Sequence, residues 1–154
     1  MTLGYLADSR QFLPELARWH HEEWGWLHPG DTVEARAVRL EGECGRGAIP
    51  TVLVAMEGQK LLGSSMLVAQ DMESRPQWSP WLASVFVAPD RRGEGIGTAL
   101  VRRAMEEAAR MKVGRLYLYT PSAERFYTRL GWSLIERTPY HGAEVAVMQF
   151  EFPG

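Results

Sequence analysis

The 154-residue chain has a single cysteine, Cys44. One cysteine excludes a disulfide framework and a thiolate metal cluster, and no motif around it would activate a thiol. No run of about eighteen apolar residues occurs, so no segment reads as a membrane-spanning helix. Residues Met1 to Tyr5 show no basic stretch leading into an apolar one. Charge imbalance is also scarce: 17 basic against 19 acidic residues leave a net charge of −2, too weak a field to gather nucleic acid or an anionic membrane. The four histidines, at 20, 21, 28 and 141, have no spacing that suggests a metal site. Repeats and low-complexity tracts are missing, and the nine prolines and fifteen glycines are scattered rather than gathered into a linker. The expectation is one cytoplasmic domain over residues 1–154, monomeric or homodimeric. It should work on small partners, with no nucleic acid, no membrane and no metal.

What is present is an alternation of strand-like and helix-like segments. A strand is expected at Leu3–Ala7, then a helix capped by Ser9 in which Phe12, Leu13, Leu16, Ala17 and Trp19 recur at helical spacing, with Gly25 ending it. Asp31, followed three residues later by Glu34, reads as the cap of a second helix through Val33, Ala37, Val38 and Leu40. Thr51–Met56 and Leu61–Ala69 read as a hairpin around Glu57–Lys60, and Trp81–Val87 as a strand stopped by Pro89. Residues 97–111 carry the clearest helical stripe: Leu100, Val101, Ala104, Met105 and Ala108. A strand at Leu116–Tyr119 follows, then a helix at Ser122–Leu130 closed by Gly131, and strands at Trp132–Arg137 and Glu144–Phe150 around a loop at 138–142. The order β-α-α-β-β-β-α-β-α-β-β mixes hairpins with helical crossovers and implies a mixed sheet in an α/β or α+β domain.

Chemistry concentrates where the strand at 81–87 passes through Arg91-Arg92-Gly93-Glu94-Gly95-Ile96-Gly97-Thr98 into the striped helix. Glycines at 93, 95 and 97 let backbone N–H groups converge, and the helix N-terminus behind them supplies unsatisfied donors and partial positive charge. Such a turn can cradle a pyrophosphate, and the arginines can pair with phosphate oxygens. No Gly-Lys-Ser/Thr follows and the Rossmann spacing is missing, so a different phosphate-bearing cofactor is implied.

Arg92-Gly93-Glu94-Gly95-Ile96-Gly97 resembles the acetyl-CoA signature of the GCN5-related N-acetyltransferase (GNAT) family, and the Val-x-Pro strand end before it does too. Ala123 to Trp132 is similar to that family's second signature, a helix ending in Tyr-x-x-x-Gly-Phe, with Trp132 in place of phenylalanine. The resemblance implies a mostly antiparallel mixed sheet of about seven strands flanked by about four helices. It implies acetyl-CoA as donor and direct attack by an amine in a ternary complex. Val85, Phe86 and Val87 would run beside the pantetheine arm. Arg92, Gly93, Glu94, Gly95, Ile96, Gly97 and Thr98 would hold the pyrophosphate, and Thr120 (often asparagine in the family) and Phe126 would border the cofactor. Tyr127 matches the tyrosine near the leaving sulfur, a phenol protonated at neutral pH and able to give a proton to a thiolate.

An alkylamine near pKa 10.4 is neutral in only about one molecule in 10³ at pH 7, so a proton acceptor is needed. Glu23, at the end of the first helix, is the sequence's candidate. Trp24, Trp26, Trp81 and Tyr140 are candidate walls of the acceptor cleft. Two alternatives stand beside this reading: a non-catalytic acetyl-CoA-binding or sensor module, and a protein N-terminal acetyltransferase in place of a small-amine one.

Overall fold

In the computed structural model, which describes residues 1–154, the apolar runs form seven strands of one sheet: β1 (Thr2–Tyr5), β2 (Thr51–Glu57), β3 (Lys60–Val68), β4 (Trp81–Val87), β5 (Arg115–Thr120), β6 (Ser133–Tyr140) and β7 (Ala143–Glu151). Four helices join them: α1 (Leu13–Trp24), α2 (Val33–Gly42), α3 (Ile96–Arg110) and α4 (Glu124–Arg129). The strand order is β1-β2-β3-β4-β5-β7-β6. Every neighbouring pair is antiparallel except β4 and β5, which α3 connects as a crossover and which run parallel. The expected element order and mixed sheet are thus found.

Helices cover both faces of the sheet, and this explains why β2 and β3 are buried almost throughout instead of alternating between buried and exposed. Val52 and Val54 pack with Leu13, Leu16 and Leu40 of α1 and α2, while Leu53, between them, packs with Val101, Ala104 and Ala108 of α3. The two-residue period of the strand sends alternate side chains into two separate cores.

Local differences from expectation have physical reasons. Leu6 and Ala7 leave β1 for a 3-10 turn, and α1 starts only at Leu13, with Pro14 in the first turn, where a missing N–H costs nothing. Ser9 makes no capping bond. Thr32 rather than Asp31 caps α2, its Oγ1 accepting from the Ala35 N–H at 3.0 Å. Asp31 instead accepts two charge-assisted bonds from Arg39, at 3.0 and 2.6 Å. The expected loop at 138–142 is mostly strand: β6 continues to Tyr140, and the turn is only His141-Gly142, at φ of 48° and 83°. Pro139 fits there because β6 is an edge strand and need not donate on its outer side.

The parallel pair is the weak seam. Only Trp81 and Tyr117 are in register between β4 and β5, with one further bond from the Tyr117 N–H to the Pro80 carbonyl at 3.1 Å. Beyond that point the strands diverge. A bulge in β4 bends it: Met66 pairs with Ala83 and Ser64 with Phe86, so Ser84 and Val85 together face the single Ser65. Ser84 takes a left-handed φ of 51°.

Candidate active site

The divergence of β4 and β5 opens a cavity of about 250 Å³. Leu82–Val85 border it on one side and Leu118–Thr120 on the other, Tyr127 closes one end, and the last turn of α1 with the segment to His28 roofs it. In this stretch each strand has lost its neighbour, so its inward backbone groups are available to an extended ligand running between them.

A buried polar chain holds the bulge that makes the opening. Arg36 Nη2 donates to His20 Nδ1 at 2.9 Å, which leaves the proton of His20 on Nε2 to be donated to Ser64 Oγ at 2.9 Å; Ser64 Oγ in turn donates to the Ser84 carbonyl at 2.8 Å. Arg36 Nη2 also reaches Ser84 Oγ at 3.4 Å. Burial, and then the Arg36 charge, hold His20 well below the ordinary histidine range, so it is neutral. Burial likewise lowers Arg36 from its usual value.

At the end of β4 the chain makes a short 3-10 turn at Pro89–Arg91, passes extended through Arg92 and enters α3. Gly93 and Gly95 sit at φ of 82° and 84° with nothing within 4 Å of a would-be Cβ, so glycine is required there by backbone conformation and not by a neighbour. The first intrahelical bond runs from Ala99 N–H to the Gly95 carbonyl, which leaves the N–H groups of Ile96, Gly97 and Thr98 free at the helix start. Arg92 donates through Nε to the Val87 carbonyl at 3.0 Å and lies over the Phe86 ring, which fixes its guanidinium beside the turn. Arg91 is committed elsewhere, to Glu57 and Glu94.

Tyr127 owes its position to the way α4 stops. Gly131, at φ of 96°, lets the Trp132 N–H bond the Tyr127 carbonyl at 3.1 Å and the Gly131 N–H bond that of Thr128 at 3.1 Å. These two bonds form a Schellman cap, and the apolar contact that goes with it is Tyr127 against Trp132, rings edge to face at 6.1 Å. The Tyr-x-x-x-Gly-Trp pattern is therefore one structural unit. Burial alone pushes the Tyr127 phenol upward, with no protein hydrogen bond contributing.

The structure brings Glu23, Trp24, Trp26, Val85, Thr120 and Tyr127 to one cavity. Glu23 is exposed at its rim, and Trp26 is 44% exposed. Phe86 supports the roof, packing on Trp19 and Trp24. Phe126 and Val87 both lie beside Gly97, at 3.6 and 3.5 Å from its would-be Cβ. Thr120 Oγ1 accepts from the Ala123 N–H at 3.0 Å, leading the chain into α4. Trp81 does not reach the cavity: it is fully buried, its indole N–H given to the Trp78 carbonyl at 2.7 Å. Tyr140 packs edge-on against Tyr119, which does border the cavity. The sequence reading missed His20, Ser64, Ser84, Arg36 and Asp71. Of these His20 left a trace, standing at the next position of the apolar stripe Leu13, Leu16, Ala17. Asp71 looked like an ordinary loop residue.

A sheet opened at its parallel pair, with a glycine turn and free helix N–H groups on one side and a buried phenol in the opening, has the architecture of an acetyltransferase. The sequence profile of the acetyltransferase (GNAT) family matches residues 13–132, and the chain belongs to that family. Its fold is shared with a ribosomal-protein-alanine N-acetyltransferase from Brucella melitensis, at 21% identity over 99% of this chain and 100% of the other, with a TM-score of 0.77. An aminoglycoside 6'-N-acetyltransferase complexed with coenzyme A superposes equally well, at TM-score 0.77 and 16% identity over 100% and 99% of the two chains. The yncA protein of Salmonella typhimurium, solved with its cofactor acetyl-CoA, gives a TM-score of 0.74 at 17% identity over 97% and 92%.

Proposed function

We propose that this chain transfers the acetyl group of acetyl-CoA to a primary amine by direct attack in a ternary complex. The observation that carries this reading is the gap between β4 and β5, bordered by unpaired strand edges and by Tyr127, with the Gly93–Thr98 turn at the end of β4. The residues fit the donor: the open, positive-φ cradle at Gly93 and Gly95 and the free N–H groups of Ile96, Gly97 and Thr98 suit a pyrophosphate, with Glu94 carried on the same turn and Arg92 beside it. Val85, Phe86 and Val87 offer a strand edge to the pantetheine arm, and Thr120 and Phe126 border it from the other side. We read residues 1–154 as one domain, a reading supported by the single sheet that runs from Thr2 to Glu151.

When bound, acetyl-CoA supplies an activated thioester. Tyr127, kept protonated by burial, donates to the departing sulfur. Trp24 and Trp26 wall the acceptor's approach, with Glu23 at the rim and Tyr140 behind Tyr119. The test follows free thiol release from acetyl-CoA with a panel of primary amines, together with the melting temperature in the presence of acetyl-CoA. Thiol release that depends on the amine, together with stabilisation by acetyl-CoA, is the expected outcome. Stabilisation without release by any amine would leave a binding module and refute the transferase reading.

A further inference from the structure

Acetyl transfer as proposed leaves one proton without a destination, because a primary ammonium ion must lose one before its nitrogen can attack. Asp71, in the loop after β3, lines the same cavity as Ser84, Tyr119 and Tyr127. Its surroundings are unusual for a carboxylate. The nearby cation, Arg36 of α2, is already engaged by His20 and Ser84 and lies 3.7 Å from Glu43, and Asp71 itself has no hydrogen bond or ion pair. Glu43, at the end of α2, is the other group that acts on it, and Asp71 in turn raises the phenols of Tyr119 from β5 and Tyr140 from β6, which Glu73 of its own loop raises as well. Apart from Arg36, none of these is a cation. A carboxylate left without a partner beside the reaction space, with tyrosine rings next to it, is a site for an ammonium group.

Resting on the transferase reading, we infer that Asp71 is the catalytic base: it receives the acceptor as a primary ammonium ion and takes the proton that frees the nitrogen lone pair. The proton moves from nitrogen to the Asp71 carboxylate; the C–N bond forms as the nitrogen attacks the acetyl carbonyl; the C–S bond breaks, and the sulfur takes the Tyr127 proton. The second proton lost by nitrogen restores the Tyr127 phenol, and Asp71 returns its own to solvent. The sum is one amide, one thiol and one released proton. The acceptor class that follows is an aliphatic amine that arrives charged.

Desolvation pushes the Asp71 carboxyl up to about 8, opposed by Arg36 and helped by Glu43. That value suits a base working near neutral pH, and an arriving cation favours its ionised form.

The test measures kcat/KM for two amines with saturating acetyl-CoA. n-Butylamine is protonated at pH 7, whereas 2,2,2-trifluoroethylamine is largely neutral there and needs no base before attack. For the wild type and butylamine, kcat/KM should rise through an inflection near pH 8. Asp71→Asn should lose that inflection and about 10²-fold in rate at pH 7, with KM for acetyl-CoA unchanged and a far smaller loss with trifluoroethylamine. Equal losses with both amines would make Asp71 merely structural. A wild-type profile in Asp71→Asn, or an inflection removed by Glu23→Gln instead, would overturn the assignment. If neither amine turns over, the 13C titration of the Asp71 carboxyl decides: butylammonium must shift its midpoint downward, and an unmoved midpoint refutes the site. A missing thermal shift with acetyl-CoA would strike the transferase reading itself.

Discussion

At Tyr127 one side chain meets two demands. Its ring fills the space beside Phe126 and Trp132, and the residue borders the cavity. Tyr127→Phe keeps the ring and removes the hydroxyl, so melting temperature and acetyl-CoA affinity should hold while single-turnover rates fall about 10²-fold. Tyr127→Ala should instead lose about 3–5 kcal/mol in urea denaturation. A Phe variant with unchanged chemistry would remove the hydroxyl from the mechanism. Two other groups, the buried His20 and the half-buried Asp71, give opposite pH signatures. The His20 pKa is depressed in the folded state, so the unfolded chain binds protons first and stability falls as pH drops below about 6.5. The Asp71 pKa is raised, so the folded chain holds a proton that the unfolded one has lost, and stability falls as pH rises toward 8. Between about pH 6.5 and 8 only the second of this pair acts. In that window the wild-type melting temperature should decline with pH, and Asp71→Asn should flatten the decline. A slope unaltered by the substitution would show that Asp71 is not the group responsible.

Among the elements, α4 and the start of α3 depend most on their glycines. At Gly131 an alanine would meet a φ of 96° and the Phe150 ring at 3.2 Å, so Gly131→Ala should cost about 1–2 kcal/mol from the left-handed backbone alone. Since the same cap seats Tyr127, turnover should fall with it, even at temperatures where the fold survives. Gly95→Val meets no atoms, yet its φ of 84° is closed to valine. It should abolish the thermal shift with acetyl-CoA while leaving the body of α3 intact by circular dichroism. Arg92→Ala should weaken coenzyme A binding by about 1–3 kcal/mol, measured by calorimetry. Arg91, already paired with Glu57 and Glu94, has less charge to offer.

For the molecule as a whole, the seam between β4 and β5 divides a sheet that is otherwise continuously bonded. If coenzyme A lies there like an added strand, its binding should slow amide exchange at Leu82–Val85 and Leu118–Thr120 far more than in β1 or β6. Protection spread evenly over the sheet would argue for binding elsewhere.

Local pattern alone placed α3, the β2–β3 hairpin and the two glycine-bearing motifs, because helical stripes, turn glycines and the Schellman cap are set by residues close together in the chain. It also set the pairing of Tyr127 with Trp132, which are five positions apart. The exchange of caps between Asp31 and Thr32 was hidden because it turns on Arg39, eight residues from Asp31 and in the last turn of the same helix. Tertiary structure alone decided the rest. The bulge at Ser84 is held by His20 of α1, Arg36 of α2 and Ser64 of β3, and Asp71 has its carboxyl pushed up because the fold sets it on the cavity wall with Arg36 of α2 and Tyr119 of β5. Charge state and strand separation depend on what surrounds a residue in space, and the chain order carries no mark of that for groups tens of positions apart.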